Sequence, residues 1–145
     1  MKSTLFLFVF LFAMSSFGQV SEANNLDTPH TIGVGHHLSG YPILKYVAEG
    51  DMKRYTFIYK NQEYVRGDDI KFFVFLSSDA ELDTFYDFLV DSFNQTEARE
   101  MKIGDVTIFT EKEHLSIKIT VKHPDQASGW FLLKGKSLDK LFGKA

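Results

Sequence analysis

The chain contains no cysteine. That absence removes disulfide bridges, thiolate metal sites and a cysteine nucleophile, and with no thiol to acylate it also removes a lipoprotein anchor. Long apolar runs are scarce as well. The longest, Leu5 to Met14, falls short of the roughly 20 residues that a membrane-spanning helix needs. Nor is there an excess of positive charge, since 16 lysines and arginines stand against 19 aspartates and glutamates. Such mild acidity keeps a small protein in solution and opposes non-specific attraction to nucleic acid or anionic lipid. With no basic stripe interleaved with aromatics, nucleic acid is not an expected partner. Catalytic patterns are missing too. No serine sits in a Gly-x-Ser-x-Gly elbow, there is no aspartate-rich calcium loop, and Gly33-Val34-Gly35 lacks the third glycine of a dinucleotide-binding turn.

What the chain does have begins with an export signal. Lys2 supplies a positive start, Leu5 to Met14 an apolar centre, and Ser16-Phe17-Gly18 a small-x-small cleavage site, so residues 1–18 read as a signal peptide. Cleavage there leaves 127 residues with 15 basic and 19 acidic side chains, a balance of −4. That length suits one domain, large enough to bury about two-thirds of its unfolded surface without a covalent staple. The signal ending Ser16-Phe17-Gly18-Gln19 and the small, aromatic-rich, cysteine-free body resemble the uncharacterised exported proteins common in Bacteroidota-type bacteria. The resemblance implies a periplasmic or secreted setting and carries no activity with it; no later segment is a transmembrane candidate, so no membrane insertion of the mature chain is expected.

Residues 19–41 are polar, with Asn24-Asn25, Pro29, two glycines before Ser39 and three histidines, and read as a flexible arm. A single α+β domain is expected over 42–145. Its strongest pattern runs from Ile70 to Phe93. Ile70 to Leu76 is almost continuously apolar, which predicts a central strand covered on both faces. Ser78 and Glu81 then form a capping box. Leu82, Phe85, Tyr86, Leu89, Val90 and Phe93 follow at the spacing of one helical face, with Phe88 off that stripe and Asp83, Asp87 and Asp91 on a solvated one.

Upstream, Ile43 to Ala48 and Arg54 to Lys60 read as strands, with Asn61-Gln62 connecting to a short strand at Glu63 to Arg66. Downstream, Glu100 to Ile103 and Val106 to Thr110 precede a charged tip, Glu111-Lys112-Glu113. Leu115, Ile117, Ile119 and Val121 then alternate with polar residues, facing inward. Trp130 to Lys134 forms a last strand and Ser137 to Phe142 a short helix stopped by Gly143. The expected architecture is one antiparallel sheet of about six strands, with the main helix and the short C-terminal helix packed on one face. Leu82-Asp83-Thr84-Phe85-Tyr86 is echoed by Leu138-Asp139-Lys140-Leu141-Phe142, so the chain can also be divided into two β-β-β-α units. Coincidence at a common strand-to-helix junction is the alternative.

Two candidate sites follow. Tyr55, Tyr59 and Tyr64 cluster in the N-terminal strands, and tyrosine joins apolar area to a polar tip suited to recognition. If the face bearing Tyr55 and Tyr59 is open, it or a sheet edge would bind a protein, peptide or glycan; otherwise these rings are core. The alternative is a metal-binding protein or enzyme using His30, His36 and His37, imidazole being a common ligand for transition metals. Adjacent histidines on a strand point to opposite faces, however, and His114 and His123, nine residues apart at the two ends of one predicted strand, should face opposite ways, which argues against an acid–base pair. No cofactor is implied.

Overall fold

A computed structural model describes residues 28–145 except Val65; the expected signal peptide and residues 19–27 of the expected arm lie outside the described residues. Four strands and a helix are followed by four strands and a helix: β1 His30–Val34, β2 Ile43–Glu49, β3 Met52–Lys60, β4 Ile70–Ser77, α1 Asp79–Ser92, then β5 Arg99–Ile103, β6 Val106–Glu113, β7 Ser116–Lys122, β8 Gly129–Lys134, α2 Gly135–Leu141. Each set of four strands forms its own antiparallel sheet, ordered β1-β2-β3-β4 and β5-β6-β7-β8. The α+β class and antiparallel pairing hold. The single sheet of about six strands does not, because the chain turns back into α1 after β4 and begins a second sheet beyond it. Each unit therefore has one strand more than the three expected before its helix.

Inner faces of both sheets and both helices meet in one core. Tyr55, Phe57 and Tyr59 on β3 alternate inward, as do Phe73 and Phe75 on β4, Ile108 on β6, Ile117, Ile119 and Val121 on β7, and Phe131 and Leu133 on β8. Aromatic rings bridge the parts: Phe57 lies 5.1 Å from Phe73, 6.2 Å from Phe85 of α1 and 5.8 Å from Phe131 of the second sheet, between ring centres. These separations suit stacked or edge-on aromatic contact. The two echoed helix segments touch each other, with Phe85 5.5 Å edge-on to Phe142 and the Tyr86 hydroxyl donating to Asp139 Oδ1 at 2.7 Å.

Local signals explain α1 well. The Glu81 amide donates to Ser78 Oγ at 3.2 Å and the Ser78 amide to Glu81 Oε2 at 2.9 Å, a complete capping box. Phe88, off the stripe, is nevertheless buried. Arg99 covers its ring at 4.7 Å and donates to its carbonyl at 3.1 Å, so a cation from β5 widens the buried face. Among the described residues no helix is long and apolar enough to cross a membrane.

Four further expectations change. His30–Val34 is a strand within the stretch expected to be an arm; it pairs with β2 and packs against α2. Gly33 is needed there, because a side-chain carbon on it would overlap the Lys140 carbonyl. Of the short strand expected at 63–66, the described residues Glu63, Tyr64 and Arg66 lie in no strand. Leu115 is 87% exposed at the β6–β7 turn rather than inward. Most consequentially, β4 is an edge strand and not a central one. Phe73, Phe75 and Ser77 are buried and Lys71 half-buried, while Ile70, Phe72, Val74 and Leu76 are 38%, 57%, 38% and 50% exposed.

Adjacent phenylalanines of β4 thus face opposite environments. Phe73→Ala and Phe85→Ala should each destabilise the protein by about 3–5 kcal/mol, whereas Phe72→Ala should change it by less than about 1 kcal/mol. Chemical denaturation of dilute protein distinguishes them, and equal losses at 72 and 73 would contradict the assignment of faces.

Candidate functional site

Two places outside the core concentrate chemistry. The first is the corner where the β3–β4 loop meets the start of β8. Asn61, only 1% exposed, holds it together: Nδ2 donates to Asp69 Oδ2 at 2.7 Å, and Oδ1 accepts from the amides of Trp130 (3.0 Å) and Glu63 (3.2 Å). The Gln62 amide donates to the Trp130 carbonyl at 2.8 Å. Beside this joint the buried Tyr59 hydroxyl shares a 2.8 Å hydrogen bond with His123 Nε2, and His123 Nδ1 lies 3.1 Å from the Gln126 amide. Gly129 makes the approach possible, since a methyl group there would come within 2.9 Å of the Tyr59 oxygen.

A cleft of about 420 Å³ opens at this corner, lined by Tyr64, Arg66, Asp68, Asp69 and Lys71 among others. Its carboxylates already have partners. Asp68 pairs with Lys60 at 2.6 Å, and Asp69 accepts from Asn61 with Lys71 4.0 Å away. Burial, with the nearby Lys71 charge, lowers the His123 pKa against a smaller opposing effect of Asp125. Burial also raises that of Tyr59. Both groups are therefore neutral near pH 7. The hydrogen-bond partners of His123 are a glutamine and a tyrosine whose hydroxyl belongs to a fully buried side chain. This network joins the two sheets.

The second place is the outer face of the first sheet. Phe72 of β4 pairs with Ile58 of β3, which pairs with Ile43 of β2, and Val74 pairs with Thr56. An apolar row therefore runs across the sheet from its β4 edge, with Ile43 and Ile58 half-buried. Charges sit at its two ends: Arg54 binds Glu49 at 2.6 Å beside Leu76, and Lys60 binds Asp68 beside Ile70. The corresponding face of the second sheet differs. Lys118 lies 4.9 Å over the Trp130 ring and Lys122 4.8 Å over Phe109, with Glu100, Lys102 and Glu111 around them exposed.

Comparison with protein-family models, curated proteins and solved structures finds no match.

The residues singled out from the sequence are dispersed by the fold. Tyr55 and Tyr59 are 1% and 0% exposed, so the face that carries them is the interior. The Tyr55 hydroxyl reaches Asp79 Oδ1 at 3.1 Å, beside Lys53 Nζ at 2.9 Å. Tyr64 alone of the three is exposed, on the cleft. His30 stacks on Tyr46 at 5.2 Å, while His36 and His37 stack on each other at 5.5 Å after β1. Among the described residues no three histidine or carboxylate side chains gather as a metal site. The outer face of β4 went unread because its apolarity resembled a strand covered on both sides. The signal was present in the alternation: Ile70, Phe72, Val74 and Leu76 give four apolar residues in a row on one face, the one lysine of the run, Lys71, falling on the other.

Because its folded pKa is depressed, neutral His123 contributes stability that is fully present above the ordinary histidine value of about 6.5 and is lost as pH falls through the lower folded value. His123→Gln, which keeps a partner for Tyr59, should flatten this loss. Denaturation curves at pH 7.5 and 5 for both proteins check it: an equal drop in the two would exclude His123 as the source.

Proposed function

We propose that this is an exported, non-catalytic interaction module that binds a protein partner through the outer face of its first sheet. The export signal in residues 1–18 supports the first part. The contrast between the two sheets carries the second. They are built alike, four consecutive antiparallel strands each, yet the outer face of one carries charges, lysine-covered rings and a single exposed leucine, Leu132, while the other carries four exposed apolar residues on one strand, Ile70, Phe72, Val74 and Leu76. Contiguous apolar patches of this kind mark contact surfaces in soluble proteins, and the second sheet supplies the internal comparison of an outer face that has no such duty.

The partner class follows from the chemistry of the patch. A glycan site needs exposed rings beside hydrogen-bonding groups, whereas Phe72 stands among aliphatic side chains on β3 and β4. A protein surface of matching apolarity suits it. The metal or enzyme alternative is not favoured, since its three histidines lie on β1 and in the turn that follows without converging.

A photoreactive residue placed at 72 or, as a control, at 120 on the outer face of β7 tests this in the producing cell. Protein adducts from position 72 and none from 120 are expected. Adducts from neither position, or equally from both, would overturn the reading.

A further inference from the structure

We infer that the cleft at the corner of the two sheets is a second site, separate from the outer face of the first sheet, and that it binds an acidic sugar whose carboxylate seats on Lys71 and Arg66. Lys71 carries the argument. It continues the inward series of β4, in which Phe73 and Phe75 are core, and it pairs across the sheet with the buried Tyr59. A lysine stands where the pattern calls for another apolar side chain. Gly129 of β8 leaves the room for it, since a methyl group there would come within 2.8 Å of Lys71 Cδ.

The ammonium at the end of this packed stem is not satisfied by the protein. Its side chain is only 11% exposed, and its ion-pair partner, Asp69, lies 4.0 Å away with Oδ2 already accepting from Asn61 at 2.7 Å. Among the described residues Lys71 Nζ makes no hydrogen bond, although an ammonium has three donors. An almost buried charge in this condition costs stability that an apolar side chain of similar length would not. Departures from a local pattern that bring no gain in stability are expected at functional sites. Among the described residues no fully buried side-chain polar atom lacks a partner, so the free donors of Lys71 reach solvent. They do so in the cleft that Lys71 lines, whose volume of about 420 Å³ is that of a small-molecule site.

The charges there call for one negative group. Asp68 is taken up by Lys60 at 2.6 Å, and Asp69 stands opposite Lys71. Arg66, also on the cleft, pairs with no carboxylate among the described residues. Lys60, Arg66 and Lys71 against Asp68 and Asp69 make three cations to two anions, a surplus of one. A carboxylate matches that surplus, whereas a phosphate ester with about −1.5 to −2 charges exceeds it. A guanidinium fork beside an ammonium suits a carboxylate. The rest of the wall suits a sugar ring: Tyr64, 57% exposed, offers an apolar ring with a polar tip beside the Ser128 hydroxyl.

Magnetic resonance titration of the full chain recovered from an exporting host tests this, with glucuronate, glucose, acetate and inorganic phosphate as separate probes. Glucuronate should bind with a dissociation constant of about 1 mM, the strength a ligand of this size reaches at modest efficiency per atom, and should shift the amides of Ser128 and Gly129. Each of the other probes should bind at least about tenfold more weakly. Lys71→Met keeps the stem and removes the charge. It should weaken glucuronate by about tenfold or more without lowering the denaturation midpoint, and Arg66→Gln should weaken it likewise. Tyr64→Ala should weaken glucuronate and leave acetate unchanged, while Phe72→Lys should leave both unchanged. A lowered midpoint in Lys71→Met with binding intact would make Lys71 structural and overturn the inference. So would the absence of any shift with about 10 mM glucuronate, ten times the expected constant, or binding of glucose, acetate or phosphate as tightly as glucuronate. Loss of glucuronate binding in Phe72→Lys would overturn the separation of this site from the outer face.

Discussion

The fold depends on one constraint: neither four-stranded sheet can bury its inner face alone. A sheet apolar on one side must be covered, and here each sheet is covered partly by the other and partly by the helices. Phe57 is where this is most concentrated. Fully buried on β3, it meets rings from its own sheet, from α1 and from β8 of the second sheet. Phe85 repeats the arrangement from the helix side, between Phe57, Phe75 and Phe142. Four strands and a helix are thus not an independent unit, and the two such units fold as one core.

Polar groups complete the junction without breaking its dryness. Asn61 is buried with its side-chain carbonyl and amide both engaged, and its partners come from both halves of the chain. The Thr110 hydroxyl donates to Ser92 Oγ at 2.8 Å, and Ser92 in turn donates to the Phe88 carbonyl at 2.8 Å, tying α1 to β6. Among the described residues no buried side-chain polar atom lacks a partner. Fully satisfied buried networks fix one arrangement of their surroundings, and these two fix the angle between sheet and helix and between sheet and sheet.

Much of this was legible where a local pattern and the tertiary demand agree. The capping box at Ser78, the stripe through Phe85 and Leu89, the alternation of Ile117, Ile119 and Val121, and the stop at Gly143 all occur as expected. Reading failed where the decisive neighbour is distant in sequence. Strand β1 contains Gly33 because α2 closes on it from more than a hundred residues away, and no local signal carries that. Phe88 is buried by a guanidinium from β5. Alternation placed Tyr55 and Tyr59 on one face but could not say which face was inside. The apolarity of β4 led to the expectation of a central strand covered on both sides, and it fails because β4 ends its sheet and only one of its faces is covered.

The strand order has a consequence for how the molecule comes together. Every strand pairs with its neighbour in sequence, and no strand of one sheet is inserted into the other. The loops that must close to form either sheet are therefore short, so ordering entropy is spent in small steps that local contacts repay at once. A meander folded twice over keeps each of these steps local, and it brings the apolar strand Ile70 to Leu76 against β3 through a connection of only nine residues, Asn61 to Asp69.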